Sequence, residues 1–210
     1  MSGFFLELFT EEIPSGLQSS ARNDLSKSFK LFFDEQNIKY DINPKIISTP
    51  NRLAVHFKHI KKEILIKSDE IRGPSVSAPE KAIEGFSKSN ETSIKNLYKK
   101  KTEKGEFYFY TKPSKKVKTV DILNRNIPLI LEKLNWKKSM KWGEFNLYWG
   151  RPLKSILAIY DSKPLNFKFH HLISSDKTFI DKDFEEKTKS FKNFNLYISY
   201  FKKNKIIIDQ

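Results

Sequence analysis

Cysteine is absent from this 210-residue chain, which removes disulfides, thiolate zinc sites and cysteine nucleophiles together and fits a reducing cytosol. Glycine is scarce. The seven glycines (Gly3, Gly16, Gly73, Gly85, Gly105, Gly143, Gly150) never fall at GxGxxG or GxxxxGK[ST] spacing, so no phosphate-cradling loop is written here, nor a GxSxG elbow. Long apolar runs are missing too: stretches such as residues 156–160 (ILAIY) fall far below the roughly 20 residues of a membrane span. The start, MSGFFLELFTEE, has no basic region ahead of its apolar residues and does not read as a secretory signal. The expectation is a soluble cytoplasmic protein with no membrane partner.

Arginine is the last scarcity. The chain carries a formal charge of +14 and a pI near 9.7, which points to a polyanion such as RNA, DNA or an acidic membrane face. Yet only five of the 39 basic residues are Arg (Arg22, Arg52, Arg72, Arg125, Arg151), leaving 34 Lys. An AT-rich genome writes Lys at any tolerant surface position, and Lys lacks the bidentate fork that phosphate recognition favours. Charge alone leaves both readings open. The basicity is segmental: residues 1–36 sum to −3, residues 95–118 to +7 and residues 133–154 to +5. Aromatics interleave with those Lys (Tyr98, Phe107, Tyr108, Phe109, Tyr110; then Trp136, Trp142, Phe145, Tyr148, Trp149). Such stretches suit a phosphate backbone and stacked bases. They equally suit alternating strands with one apolar face in a core and Lys in water.

What is present is core material. Hydrophobic residues make up 38% and the 18 Phe raise the aromatic share to 14%, enough for one large or two small globular domains. Residues 4–9 (FFLELF) read as a buried strand. A helix follows Pro14, with Ile13, Leu17, Ala21, Leu25 and Phe29 recurring every four residues and Phe32 and Phe33 extending the stripe. Ile38/Tyr40/Ile42, Leu53/Val55/Phe57 and Ile64/Ile66 predict three strands. Gly73-Pro74 is expected to break the sheet, and Ser77 with Glu80 to cap a helix bearing Ala82, Ile83 and Phe86. Residues 87–105 predict a short helix and a hairpin loop, and residues 106–111 a strand. A helix over about 120–134 is expected to kink or restart at Pro128. Strands are expected at Phe145/Leu147/Trp149, at 153–160 and at Leu165/Phe167/Phe169, with a tail from Phe184 that is first helical. Strands and helices mix without a βαβ rhythm, so the class is α+β, mostly antiparallel sheet with packed amphipathic helices.

The search for chemistry yields little. His56 and His59 point to opposite faces of a strand, and the adjacent His170 and His171 diverge likewise, so none reads as a metal ligand. Glu11 and Glu12 are neighbours that diverge, and carboxylates at a helix start have an ordinary electrostatic explanation. KKSMK (137–141) has the wrong order for a KMSKS loop and no HIGH-type partner.

Six motifs in order carry more information: LELFTEEIP (6–14), TPNRLAV (49–55), IRGPSVSAPEKAIEGF (71–86), KGEFYFY (104–110), KSMKWG (138–143) and RPLKSILAIYD (151–161). In this series the chain resembles the N-terminal portion of the beta subunit of bacterial heterotetrameric glycyl-tRNA synthetase. The resemblance implies a division of labour. A separate alpha subunit binds glycine and ATP, and beta holds glycine tRNA and completes an alpha2beta2 assembly that uses ATP and Mg; no cofactor is bound by this chain. It implies a non-catalytic part, similar in kind to tRNA-contacting accessory domains of the phenylalanyl-tRNA synthetase beta subunit. The motifs mark Arg52, Arg72, Lys138, Lys141 and Arg151 as tRNA-backbone candidates. Arg52, two residues after Pro50, and Arg151, next to Pro152, could instead pair with Glu11 or Glu12. Glu11, Glu12, Pro14, Pro50, Gly73, Pro74, Trp142 and Pro152 are motif positions of structural or interface kind. Departures exist: where the family continues through Gly-His-Arg this chain has Ile180, Asp181 and Lys182, and the HD-like and anticodon-binding domains of the family are not expected within these 210 residues. A fragment, a split product or a decayed copy of the beta subunit is the expectation, with a stand-alone basic RNA-binding module as the alternative.

Overall fold

The computed structural model describes residues 2–66, 68–180, 187–206 and 208. The class is α+β, as the sequence predicts. The chain divides into two compact units, one built from Met1–Ile64 with Lys118–Gln210 and the other from Leu65–Val117.

The larger unit opens with β1 (Ser2–Thr10), α1 (Ser15–Glu35), β2 (Lys45–Thr49) and β3 (Arg52–Ile60). The chain leaves through β4 (Glu63–Ile66). The smaller unit holds β5 (Asp69–Ser75), α2 (Glu80–Ser89), a 3-10 turn at Ile94–Asn96, β6 (Tyr98–Thr102) and β7 (Gly105–Lys112). The chain returns through β8 (Lys115–Lys118), which pairs with β4. There follow α3 (Thr119–Glu132), β9 (Met140–Lys141), β10 (Tyr148–Trp149), β11 (Leu153–Tyr160) and β12 (Lys163–Pro164). Short ladders β13 (Lys168–Phe169) with β14 (Leu172–Ile173), and β15 (Lys177–Phe179) with β16 (Thr188–Ser190), precede α4 (Phe194–Lys203).

The larger unit is organised by an antiparallel sheet of order β12-β11-β1-β3-β2 with β1 at its centre. Both faces of β1 are covered, which is why its sequence is a continuous apolar run rather than an alternation; Phe4 to Thr10 are all buried. On one face Phe4 meets Phe29 and Phe33 of α1, at ring-centroid distances of 5.1 and 6.2 Å. On the other, Phe5 meets Phe194 and Tyr197 of α4, at 5.1 and 4.8 Å. A fully buried Phe contributes about 2–3 kcal/mol by removal from water, so this aromatic layering is the main source of cohesion.

One residue of β1 does not belong to that account. Glu7 is fully buried on the α4 face. Its carboxylate receives Arg52 Nη1 at 3.1 Å, the Thr178 hydroxyl and the Tyr197 hydroxyl. Arg52 also donates to Thr178 Oγ1 (3.2 Å), Phe179 O (2.6 Å) and Ile180 O (2.8 Å), and it lies between the rings of Phe9 and Phe201 at 4.6 and 4.7 Å. Burial first, and the Glu7 charge second, push the Tyr197 hydroxyl well above its ordinary pKa, so it stays a donor.

The structure corrects several local expectations. Residues 38–42 form no strand. Asn37 takes a left-handed φ of 53°, its N–H bonds Asp34 O and the Ile38 N–H bonds Phe33 O. This is a Schellman ending, and buried Ile38 is its apolar partner. The next strand is β2 instead. α2 and α4 end the same way, with Glu91 and Lys205 left-handed and Thr92 and Ile206 closing onto Ser87 O and Phe201 O. Gly73-Pro74 does not end the sheet: β5 runs through it with a shifted register, where a bulge tolerates the missing donor. α2 starts at Glu80 behind Pro79, so Ser77 is no cap, and Ala82 is exposed. α3 does not restart at Pro128 but runs through it to Glu132 as one helix, its buried face of Leu123, Ile127 and Leu131 outweighing the lost bond. Phe145 is exposed and outside any strand, and Leu165 and Phe167 lie in loop rather than strand. The tail enters its helix only at Phe194, after β16; Phe184 lies outside the described residues.

Two outcomes follow from the α4 face. Arg52→Ala leaves a buried carboxylate uncompensated and should cost about 3–5 kcal/mol in urea unfolding, whereas the double variant Glu7→Leu/Arg52→Met should cost clearly less than the two single changes summed. His56 is buried on the same face, stacked on Phe194 at 4.2 Å, and burial aided by the Lys58 charge lowers its pKa to about 4. The unfolded chain protonates near 6.5, so it binds more protons between those values, and stability falls as pH drops from 6.5 through 4. Urea midpoints at pH 7 and about 4.5 should converge more closely in His56→Phe than in the parent.

Candidate functional site

Three of the six motifs meet in the larger unit, and backbone hydrogen bonds bring them together. The Thr10 N–H bonds Asn51 O (2.8 Å), the Glu11 N–H bonds Pro152 O (2.9 Å) and the Ile13 N–H bonds Pro50 O (2.6 Å). The Asn51 side chain returns to Thr10 O at 3.2 Å. TEEIP, TPNR and RP are thus one knot: the chain leaving β1 is held by the entries to β3 and β11.

Beside this knot lies an open cavity of about 510 Å³ lined by Glu11, Glu12, Pro14, Trp142, Arg151 and Pro152. Every one of those residues is a motif position. Glu11 is held by Lys154 at 2.5 Å. The Trp142 indole N–H donates to Trp149 O at 2.9 Å, which fixes its ring. Arg151 is half-buried and its Nε has no hydrogen-bond partner among the described residues. A second cavity of about 230 Å³ shares Trp142 and Pro152 and is lined also by Phe145 and His171, which stack at 3.7 Å. The lining of the first cavity mixes two carboxylates, a guanidinium and an indole face, which equips it to hold a ligand or a partner's side chains by charge and stacking.

The other candidates disperse. Arg52 is buried at 4% exposure with its donors committed to Glu7, Thr178, Phe179 and Ile180, which takes it off any surface that a phosphate could reach. Its acid is Glu7, not Glu11 or Glu12. Lys138 and Lys141 are exposed, the latter on β9 opposite Tyr148. Arg72, Gly73 and Pro74 belong to the smaller unit. Asp181 and Lys182 lie outside the described residues. The histidines are separate: His59 is exposed, His170 bonds Glu132 at 2.8 Å and His171 stacks on Phe145. Among the described residues no group of three or more His, Asp or Glu is placed to hold a metal ion, and no helix is long and apolar enough to cross a membrane.

Sequence reasoning misses Glu7, Thr178 and Tyr197. The signal for Glu7 is there, as the single charge inside FFLELF; Thr178 and Tyr197 stand 171 and 190 positions away and carry no local mark.

Residues 4–210 match the family model described as the glycyl-tRNA synthetase beta subunit. Among curated relatives, the glycine–tRNA ligase beta subunit of Rickettsia prowazekii (strain Madrid E) is 35% identical over 210 residues, covering 100% of this chain and 31% of the relative. That of Rickettsia bellii (strain OSU 85-389) is 36% identical, covering 100% and 32%, and that of Rickettsia canadensis (strain McKiel) 34%, covering 100% and 31%. The chain therefore spans about a third of the length of these relatives.

Close packing behind the cavity gives a test. A Cβ on Gly150 would collide with the Trp136 ring, which packs against Trp149 with centroids 5.2 Å apart. Gly150→Ala should destabilise by about 1–3 kcal/mol and change the near-UV circular dichroism; an unchanged spectrum and melting temperature would contradict this geometry.

Proposed function

The chain belongs to the glycyl-tRNA synthetase beta subunit family, and from that membership we propose that it acts as part of the beta component of glycine–tRNA ligase. In this reading it positions glycine tRNA and associates with a separate catalytic alpha subunit, in the cytoplasm, within an alpha2beta2 assembly. Alpha binds glycine, ATP and Mg, forms the glycyl adenylate with release of pyrophosphate and passes the glycyl group to the tRNA end with release of AMP. This chain contributes binding and placement, not bond-making.

The observation that carries the reading is the match over residues 4–210, beside which six of the motif positions line one cavity. Exposed Lys138 and Lys141 support a phosphate-facing role near it, because they stand outside the interior and add charge without a fixed fork. Arg151 supports placement at the cavity itself.

Co-expression with a glycyl-tRNA synthetase alpha subunit tests the partnership. A stable complex on size exclusion is expected, with affinity for glycine tRNA that falls steeply with salt. Lys138→Glu/Lys141→Glu should weaken tRNA binding and flatten the log affinity–log salt slope by roughly 0.7–0.9 for each phosphate that is no longer neutralised. RNA binding with no alpha complex favours a stand-alone RNA-binding module; neither binding activity removes the proposal.

A further inference from the structure

The smaller unit carries a surface that the cavity and the knot leave without a role. Its strands run in the order β5-β7-β6. Register and alternation put Glu70 and Arg72 of β5, Phe107 and Phe109 of β7, and Tyr98 and Lys100 of β6 on one face. Gly73 turns the other way and takes Phe86 of α2, whose ring would lie 2.8 Å from a Cβ there. The helix therefore covers the opposite face.

The first face is layered. Phe109 is buried and Tyr98 stacks with it at 6.2 Å. Lys100 Nζ sits 5.2 Å from the Phe109 centroid, and the Arg72 guanidinium lies 3.7 Å over Phe107. Tyr98, Lys100 and Arg72 are exposed. Glu70 pins two of them: the Tyr98 hydroxyl donates to one oxygen at 2.5 Å and Lys100 Nζ to the other at 2.6 Å, while the Tyr98 hydroxyl lies 2.9 Å from Thr111 Oγ1. Those hydrogen bonds, Lys100 first and Tyr98 second, hold the Glu70 carboxyl below its usual pKa. Arg72 has no carboxylate partner among the described residues, so its charge and outer plane face solvent.

A phenol ring and a guanidinium plane, both already oriented, are the surfaces on which unpaired bases stack, and Lys100 adds charge beside them. The charge of the unit has the matching sign, with twelve basic residues against seven acidic over 65–117. We infer that this sheet face binds an unpaired stretch of RNA, with bases on Tyr98 and Arg72 and phosphates on Lys100 and neighbouring lysines. The inference deepens the tRNA-positioning reading and rests on it. A duplex hides its base faces, so unpaired nucleotides are the occupant that this chemistry selects.

The test uses the full chain, glycine tRNA substituted with 4-thiouridine and a single-stranded RNA of about 12 nucleotides, long enough to span one such face. Crosslinked peptides are expected between Tyr98 and Tyr110. Tyr98→Ala should weaken binding of the single strand about tenfold, Tyr98→Phe should retain most of it, and Lys100→Gln should lower the salt slope by about 0.7. A duplex of the same sequence should compete poorly. Tyr98 is exposed, so unchanged circular dichroism will certify the fold of each variant. If the chain binds tRNA but crosslinks map elsewhere and the variants bind like the parent, the face assignment is wrong while the tRNA reading survives. If the parent binds neither RNA, both fall. Protection of this face by the alpha subunit without RNA would assign it to protein and overturn the inference.

Discussion

A single buried ion pair ties the larger unit together. Glu7 sits at the centre of β1, and the groups that neutralise it come from β3, β15 and α4. Two charges withdrawn from water lose several kcal/mol of hydration each, and their mutual attraction roughly offsets that, so the pair is not where the stability comes from. That comes from the aromatic layers on either side of β1. What the pair adds is a constraint. The carboxylate tolerates burial only while Arg52, Thr178 and Tyr197 all reach it, so late segments of the chain must dock on the first strand in one register. Arg52, held in turn between two rings and against two carbonyls of the 179–180 segment, leaves no room for a shifted arrangement.

This constraint also locates the cavity. β1 leads out of the sheet through Thr10 and Glu11, and those residues are fastened to the start of β3 and the start of β11. Pro50 and Pro152 contribute as carbonyl acceptors on segments whose φ the proline rings fix. Glu11, Glu12 and Arg151 then stand where β1 leaves the sheet and just before β11 enters it, beside backbone tied by those hydrogen bonds, and backbone so tied lowers the ordering cost of whatever binds there.

Legibility in the sequence follows the range of the interactions. The buried strand at 4–9, the stripe from Ala21 to Phe33, the strand at 153–160 and the α3 face are readable because periodicity and apolar content are local. The segment at Ile38 is not, since a Schellman ending and the first residue of an alternating strand look alike until the backbone sign at Asn37 is known. Gly73-Pro74 reads as a break because a bulge leaves no mark of its own beyond those residues. The cavity is legible as a set of motif residues but not as a place. Arg52 looks like a surface cation because the burial of its partner Glu7 depends on α4, whose Tyr197 stands 190 positions further on.

The composition sharpens the meaning of the arginines. With 34 of 39 basic residues written as Lys, a position that could tolerate either has in most cases become Lys. Arg should persist where a planar fork or a stacked cation is used. Arg52 uses both, with four hydrogen bonds and two rings. Arg72 uses the plane, over Phe107. Arg22 reaches from α1 to Ser48 on β2 at 3.2 Å, and Arg151 sits half-buried at the cavity. Arg125 is exposed on α3 and makes no such use of its plane among the described residues. Net charge by itself could not separate selected polyanion binding from drift in composition. The arginines say more than the net charge does: Arg52 is spent on the interior, Arg151 stands beside the cavity and Arg72 lies on an aromatic sheet face.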